Sequence, residues 1–401
     1  MSRNILTRRE FLSRSAAVTG GILFAEVRLG IPSRTTGSPP DDPYDDPTVV
    51  RVYDPKASSL VFGESDVHFY YRSFDVDRMQ GMLERAVSAI AGTSSVSAAW
   101  RRILPGLRPG AKVAVKVNLN CSHELNGDHG AFWTSAPNTS PSMMAALAMS
   151  LGKANIAQTN ITFFDGSRTF EAQWKADLRS LCPNVLAQGK GEVKLSGEAI
   201  VLADGLPEVK IPSPVMEADY LINLHLFKKH YSGTTGAMKN LLGLAENVGA
   251  IAHQGGAREF HTGAVLKDIS MNREIRKRAV LCISEAILGN RLPTENIRPL
   301  QKIDAFPNGK PSSLIVSRSP FFQDLVLLNL INFEMTGDVN AICSDGQDGW
   351  LRRCVGTVPA FRSECIGSAR MIHNPAGGPL PPKDLSYPDG CVRYLALGEQ
   401  S

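Results

Sequence analysis

The segment Asp219–Gly243 constrains this chain more than any other. A short apolar run, Asp219-Tyr-Leu-Ile-Asn-Leu224, leads straight into His-Leu-Phe-Lys-Lys-His-Tyr-Ser-Gly-Thr-Thr-Gly-Ala-Met-Lys-Asn-Leu-Leu-Gly. Apolar residues bounded by polar and small ones read as a buried strand, and the loop that follows reads as a strand-to-helix connection. Gly233 and Gly236 permit tight turns, Thr234 and Thr235 offer hydroxyls and a cap, and Ala237–Leu244 is an expected helix. A helix start flanked by Lys228, Lys229, His230 and Lys239 is suited to an anion such as phosphate or carboxylate.

The same grammar recurs along the chain. Lys112–Asn118 alternates valines after a Pro-Gly turn and reads as a strand. After a polar loop, Ser140-Pro141 opens a helix over Met143–Gly152, with serine as cap and proline in the first turn. Ile161–Phe164 is a second strand, ending at Asp165-Gly166. Ala279–Ile283 and Ser312–Ser317 read as strands, Pro320–Asn332 as a helix, and the region from Pro375 as irregular until Cys391–Leu397. Strand–helix–strand units with polar loops after the strands predict an α/β fold: a mostly parallel sheet with helices on both faces, an irregular C-terminal elaboration, and a site at the carboxyl edge of the sheet.

Residues 1–34 have a different character. Arg8-Arg9-Glu10-Phe11-Leu12 precedes the apolar stretch Ala16–Ala25, the pattern of a twin-arginine leader, and that stretch is too short to span a bilayer. Six arginines against two glutamates in this segment account for the whole formal charge of +4, so the remainder is near neutral and carries no field that would gather nucleic acid or anionic lipid. Expected are the leader at 1–34, a solvated Pro/Asp-rich linker at 35–48 and one α/β domain at 49–401. The twin-arginine translocase is the expected partner in export, the address is periplasmic or otherwise exported, and no stable membrane insertion is expected. The seven cysteines contain no C-x-x-C pair, which removes the usual zinc-ribbon and ferredoxin spacings.

Read together, Lys228, His230, Gly233, Thr235, Gly236, Lys239, Asn240 and Gly243 resemble the K-x-H-x-x-x-G-x-T-G-x-x-K-N-x-x-G signature of the family catalogued as domain of unknown function 362. The strand ending Lys116-Val117-Asn118, the Ala279–Ile287 stretch and Ser317–Asp324 are similar to further parts of that family, so the resemblance covers about 110–330. Glu285 stands where the family usually shows Asp, Ser319 stands where it usually shows the first Asp of its serine–aspartate–proline segment, and the ferredoxin insert of some members is absent. The resemblance implies an α/β fold and a shared site but supplies no reaction.

The candidate catalytic residues are His230, Lys228 and Lys239, and the candidate substrate-binding residues are Lys116, Asn118, Gly233, Thr235, Gly236 and Asn240. Lysines supply positive charge to a small anionic ligand, His230 is suited to acid–base work near neutral pH, and Thr235 and Asn240 orient by hydrogen bonds. The expected function is an enzyme acting on a small carboxylate or phosphate. Two alternatives stay open: a non-catalytic exported binding protein, and a histidine-ligated metalloprotein drawing on His123, Glu124, Asp128, His129, His225, His230, His253 and His261, although none of these spacings is a recognised metal motif. No cofactor is assigned and no residue is committed to a metal.

Overall fold

The computed structural model describes residues 42–336 except 47, 63–66, 120–137, 203–204, 231–232, 246–247, 254–259, 291–298, 301–305 and 307–308, and beyond them residues 369–373, 384–387 and 390–396. The leader at 1–34, most of the expected linker and the loop bearing His123, Glu124, Asp128 and His129 lie outside the described residues.

An eleven-stranded sheet runs through the described residues. Its strands are β1 (Thr48–Tyr53), β2 (Val113–Lys116), β3 (Ile161–Phe164), β4 (Leu186–Gln188), β7 (Tyr220–His230), β8 (Gly233–Thr235), β9 (Ala279–Asn290), β10 (Ser313–Ser317), β11 (Ala369–His373), β12 (Asp384–Tyr387) and β13 (Gly390–Ala396), while β5 (Leu195–Ile200) and β6 (Val209–Pro212) pair separately. The order is β12-β13-β11-β1-β10-β9-β7-β2-β3-β4, with β8 against β7. The run β9-β7-β2-β3-β4 is parallel throughout. Parallel neighbours also join β1 to β11 and β11 to β13, whereas β10 runs antiparallel to both β1 and β9. The fold is α/β with a mostly parallel sheet, as the sequence predicts.

Side-chain alternation divides the interior into two cores, one on each face of the sheet. Val113, Val115, Ile161, Phe163, Ile222, Leu224, Leu314 and Val316 belong to the core that also takes Met79 and Leu83 of α1 (Val76–Ala91), Trp100 of α2 (Val96–Ile103), Met143 and Leu147 of α3 (Pro141–Gly152) and Trp174 of α4 (Ala172–Leu181). Their chain neighbours Ala114, Phe164, Leu221 and Ile315 belong to the other core. That core takes Met238 of α5 (Ala237–Asn240), Val265 and Ile269 of α6 (Phe260–Met271) and Phe321 and Val326 of α7 (Pro320–Thr336). Both faces carry helices, so the strands are buried on both sides and read as nearly continuous apolar runs.

Four sequence expectations need correction. The strand begun at Tyr220 does not stop at Leu224 but continues to His230, where β8 pairs back on it, Lys228 opposite Thr235 and His230 opposite Gly233. The helix expected over Ala237–Leu244 is one α-turn, Ala237–Asn240, followed by a 3-10 turn at Leu241–Gly243. The end of the linker is packed rather than solvated: Tyr44 is 1% exposed and Asp46 is buried. The strand expected over Ala279–Ile283 also runs further, to Asn290. The expected cap of α3 holds, the Ser140 side chain accepting from Met143 N at 3.0 Å, whereas no threonine caps α5, whose N-cap is Gly236.

Candidate functional site

The carboxyl ends of β2, β3 and β7 lie side by side, with Lys116 opposite both Phe164 and Asn223. Lys116 is fully buried. Its Nζ donates to Asp165 Oδ2 at 3.0 Å, to Asn240 Oδ1 at 3.3 Å and to the Val117 carbonyl, which uses all three ammonium hydrogens. Burial pulls the Lys116 ammonium down, and Asp165 opposes that pull. Asp165 in turn accepts from Leu119 N at 3.1 Å and from the N and Oγ of Ser167 at 2.9 and 2.8 Å. A buried ion pair is tolerable only when its remaining hydrogen-bonding capacity is met, and here it is.

Asn240 is the hub. Its Nδ2 donates to Asn223 Oδ1 at 2.8 Å, to the Lys116 carbonyl at 3.2 Å and to the Leu224 carbonyl at 3.4 Å, while its Oδ1 also accepts from Asn118 Nδ2 at 3.0 Å. Asn223 Nδ2 donates to the Ala237 carbonyl at 2.6 Å. Lys228 Nζ donates to Asn118 Oδ1 at 2.9 Å, and Lys228 is 1% exposed. Thr234 Oγ1, rather than Thr235, donates to the Lys228 carbonyl, at 3.1 Å; Thr235 contributes through its backbone pairing with Lys228 and is buried. Lys116, Asn118, Lys228, Thr235, Gly236 and Asn240 lie together in the structure, as an interior network more than as an open set of donors. Lys228 is held from within the fold by Asn118.

Two glycines of the signature, Gly236 and Gly243, are where side chains would collide. A Cβ on Gly243 would meet Lys116 Nζ at 2.7 Å and Asp165 Oδ1 at 3.0 Å, and one on Gly236 would overlap the Asp324 carboxylate. Asp324 accounts for a correction. Its Oδ1 and Oδ2 accept from Ala237 N at 2.5 Å and Met238 N at 2.9 Å, so the start of α5, expected to hold an external anion, is occupied by the protein's own carboxylate. Burial pushes the Asp324 carboxyl up to about 8 against the pull of those two N–H donors. Glu285 plays the same part for α3: it accepts from Ser140 N at 2.9 Å, and burial pushes it up to about 7. Ser319 caps α7, its Oγ accepting from Phe322 N at 3.4 Å. The acidic positions shared with the family therefore anchor helix starts.

His225 is removed from any metal set. It is fully buried, with Nε2 3.1 Å from Gln323 Oε1 and Nδ1 3.3 Å from the Leu226 carbonyl, and burial lowers it to about 4, which keeps it neutral. The side chains of His230, His253 and His261 lie outside the described residues. Among the described residues no group of three or more His, Cys, Asp and Glu is placed to hold a metal.

Lys239 differs from the rest of the set. It sits on α5 next to Asn240, is half-buried, and among the described residues has neither an ion pair nor a hydrogen-bond partner. Burial first, and then the charge of Arg168, push its ammonium down to about 8. Arg168 is exposed on the loop after β3, which is held against the Lys239 segment by Gly166 N donating to the Gly243 carbonyl at 2.8 Å. Asp165, Asn223 and Arg168 are residues of this network that the sequence reading did not single out as site residues, and Asp324 entered it only through the family resemblance; Asp165 carried a signal of its own, standing directly after a strand.

Fold and site together define an α/β protein with a lysine–asparagine–aspartate network at the carboxyl edge of its parallel strands. The model of the family described as Domain of unknown function (DUF362) matches residues 113–326, and the chain belongs to that family. No curated protein matches the chain. Among solved structures, it is similar to the lactate racemase apoprotein from Thermoanaerobacterium thermosaccharolyticum, at 12% identity and a TM-score of 0.35, over 74% of this chain and 67% of that one. A likeness of that extent assigns no chemistry.

Proposed function

We propose that the protein is exported by the twin-arginine route and acts as an enzyme on a small anionic substrate, a carboxylate or phosphate, bound at Lys239 beside Arg168. The observation that carries the reading is the isolation of Lys239. Lys116 is neutralised by Asp165 and Lys228 is tied to Asn118, whereas the half-buried Lys239 ammonium, close enough to Arg168 to feel its charge, lacks a counter-charge that an anion would supply. An amine titrating near 8 can also exchange a proton near neutral pH, the property required of a general base. His230, whose backbone pairs with Gly233 at the end of β7, is the second candidate for proton transfer. What supports export is the Arg8-Arg9-Glu10-Phe11-Leu12 leader.

Calorimetric titration with inorganic phosphate and with malonate tests the site. The wild-type protein is expected to bind at least one of them, and Lys239→Ala to lose about tenfold or more in affinity, the scale of one charge-assisted hydrogen bond. Lys239 is charged below its pKa and neutral above it. Malonate affinity should therefore hold up to about pH 7 and fall as pH rises through about 8, with the fall absent in Lys239→Arg. Equal affinities in wild type and Lys239→Ala would end the proposal. Affinity that depends on Lys239, with no substrate of either class turned over, would favour the non-catalytic binding protein.

A further inference from the structure

Arg168 stands on the loop that follows β3, and the backbone of that loop is fastened at each step. Asp165 N donates to the Gln188 carbonyl at 3.1 Å, Gly166 N to the Gly243 carbonyl at 2.8 Å and Ser167 N to Asp165 Oδ1 at 2.9 Å, while the Arg168 carbonyl accepts from Lys190 N at 2.7 Å. Two glycines outside the signature let the chain come this close. A Cβ on Gly166 would collide with the Leu244 carbonyl oxygen, and one on Gly189 would collide with Phe170 N and meet the Arg168 carbonyl oxygen at 2.9 Å. The loop is thus pressed against the turn after α5 on one side and against the end of β4 on the other. Packing of this kind sets the backbone at Arg168 before any ligand arrives.

The side chain that this backbone presents is exposed, and among the described residues it has neither an ion pair nor a hydrogen-bond partner. The nearest acid along the chain, Asp165, is 1% exposed and is taken up by Lys116, Leu119 N and Ser167. The charge of Arg168 reaches Lys239 instead, whose ammonium it helps to push down. Two like charges that disfavour each other, with no carboxylate among the described residues given to either, are relieved more by a ligand with two negative charges than by one with a single charge. Their shapes differ as well: a guanidinium is a planar fork that takes both oxygens of one carboxylate or phosphate, whereas an ammonium is a point charge. We infer that Arg168 is a specificity-determining residue of the Lys239 site and selects a dianionic ligand, one that gives a carboxylate or phosphate to the Arg168 fork and a further anionic oxygen to Lys239. The inference rests on the reading of Lys239 as an anion site and deepens it: Lys239 decides whether an anion binds, and Arg168 decides how many charges it carries.

Calorimetric titration at neutral pH compares malonate, which carries two carboxylates, with its monomethyl ester, which carries one, on wild type, Arg168→Gln, Arg168→Lys and Lys239→Ala. The wild type is expected to prefer malonate by about tenfold or more, the scale of one charge-assisted hydrogen bond. Arg168→Gln should lose that preference while holding the ester to within about twofold. Arg168→Lys should recover part of it, since the charge is kept and the fork is lost, and Lys239→Ala should weaken both ligands. A second readout follows Lys239 itself. Ester affinity, which falls as pH rises through about 8 in the wild type, should fall at a higher pH in Arg168→Gln, because removing a neighbouring positive charge lets the ammonium keep its proton longer. Wild-type binding that does not distinguish malonate from the ester, or an Arg168→Gln variant that weakens the two by the same factor, overturns the inference and leaves the Lys239 reading standing. Binding of neither ligand by the wild type also overturns the inference, and if inorganic phosphate is then not bound either, the Lys239 reading falls with it.

Discussion

Lys116 brings a full charge into the interior, and the cost is met by three acceptors fixed from three different parts of the chain. The pair with Asp165 is worth little as attraction compared with what its rupture would leave behind: an uncompensated carboxylate with 2% side-chain exposure. Lys116→Met should cost about 3–5 kcal/mol in denaturant unfolding, the usual scale for breaking a buried pair. Lys116→Met/Asp165→Asn should recover part of it, because an amide does not require a counter-ion. If single and double variants were equally destabilised, the loss would come from packing and the ion pair would be irrelevant. This residue-scale logic explains why the site was only half legible. The sequence marks Lys116, Asn118, Lys228, Lys239 and Asn240 as unusual, since polar residues at the ends of apolar strands and in the loop and helix start that follow need a reason. Which of them is saturated depends on partners as remote as Asn240 from Lys116, and spacing along the chain does not carry that. Lys228 and Lys239 look alike in the signature; one is tied to Asn118 and the other has no described partner.

At the scale of elements, the short helix α5 exists because of what holds its ends. Four residues do not make a stable helix alone. Asp324 satisfies the N–H groups of Ala237 and Met238, and Asn240 fastens the other end to β2 and β7. Gly236 is obligatory at the entry, since a Cβ would fall within bonding range of the Asp324 carboxylate. Gly236→Ala should therefore displace Asp324 and destabilise the protein by about 2 kcal/mol or more, the scale of one buried acceptor losing its donors. In Gly236→Ala/Asp324→Ala the loss should be smaller than the sum of the two single variants, the signature of a shared contact; strict additivity in thermal or chemical melts would disprove the coupling. The sequence could not foretell that α5 is so short. Its apolar run continues through Leu241 and Leu242, and what tightens the chain there is Gly243 closing on Lys116 and Asp165. The extension of β7 was hidden for the opposite reason: His225, Lys228 and Lys229 look like loop residues until Gln323 and Asn118 are seen to receive the first two.

At the scale of the molecule, the sheet brings the two ends of the described chain together. The core βαβ run was readable from alternation and caps, because those signals are local. The pairing of β1 with β10 on one side and β11 on the other was not, since it joins residues more than 250 positions apart. β11, β12 and β13 extend the same sheet beyond β1, so these three strands complete the sheet rather than decorate it. Ending the chain at Thr336 would leave the outer backbone groups of Thr48–Arg51 without their parallel partners Arg370–His373. β1 would become an edge strand rich in valine, the kind that pairs with other molecules. The truncated protein should lose its cooperative thermal transition or shift to higher oligomers in size-exclusion chromatography with light scattering. A truncated chain that stays at the size of the full protein and melts at the same temperature would mean that β1 is secured by β10 and the helices alone. Strand pairing at β11 would then be dispensable to the fold that carries the site.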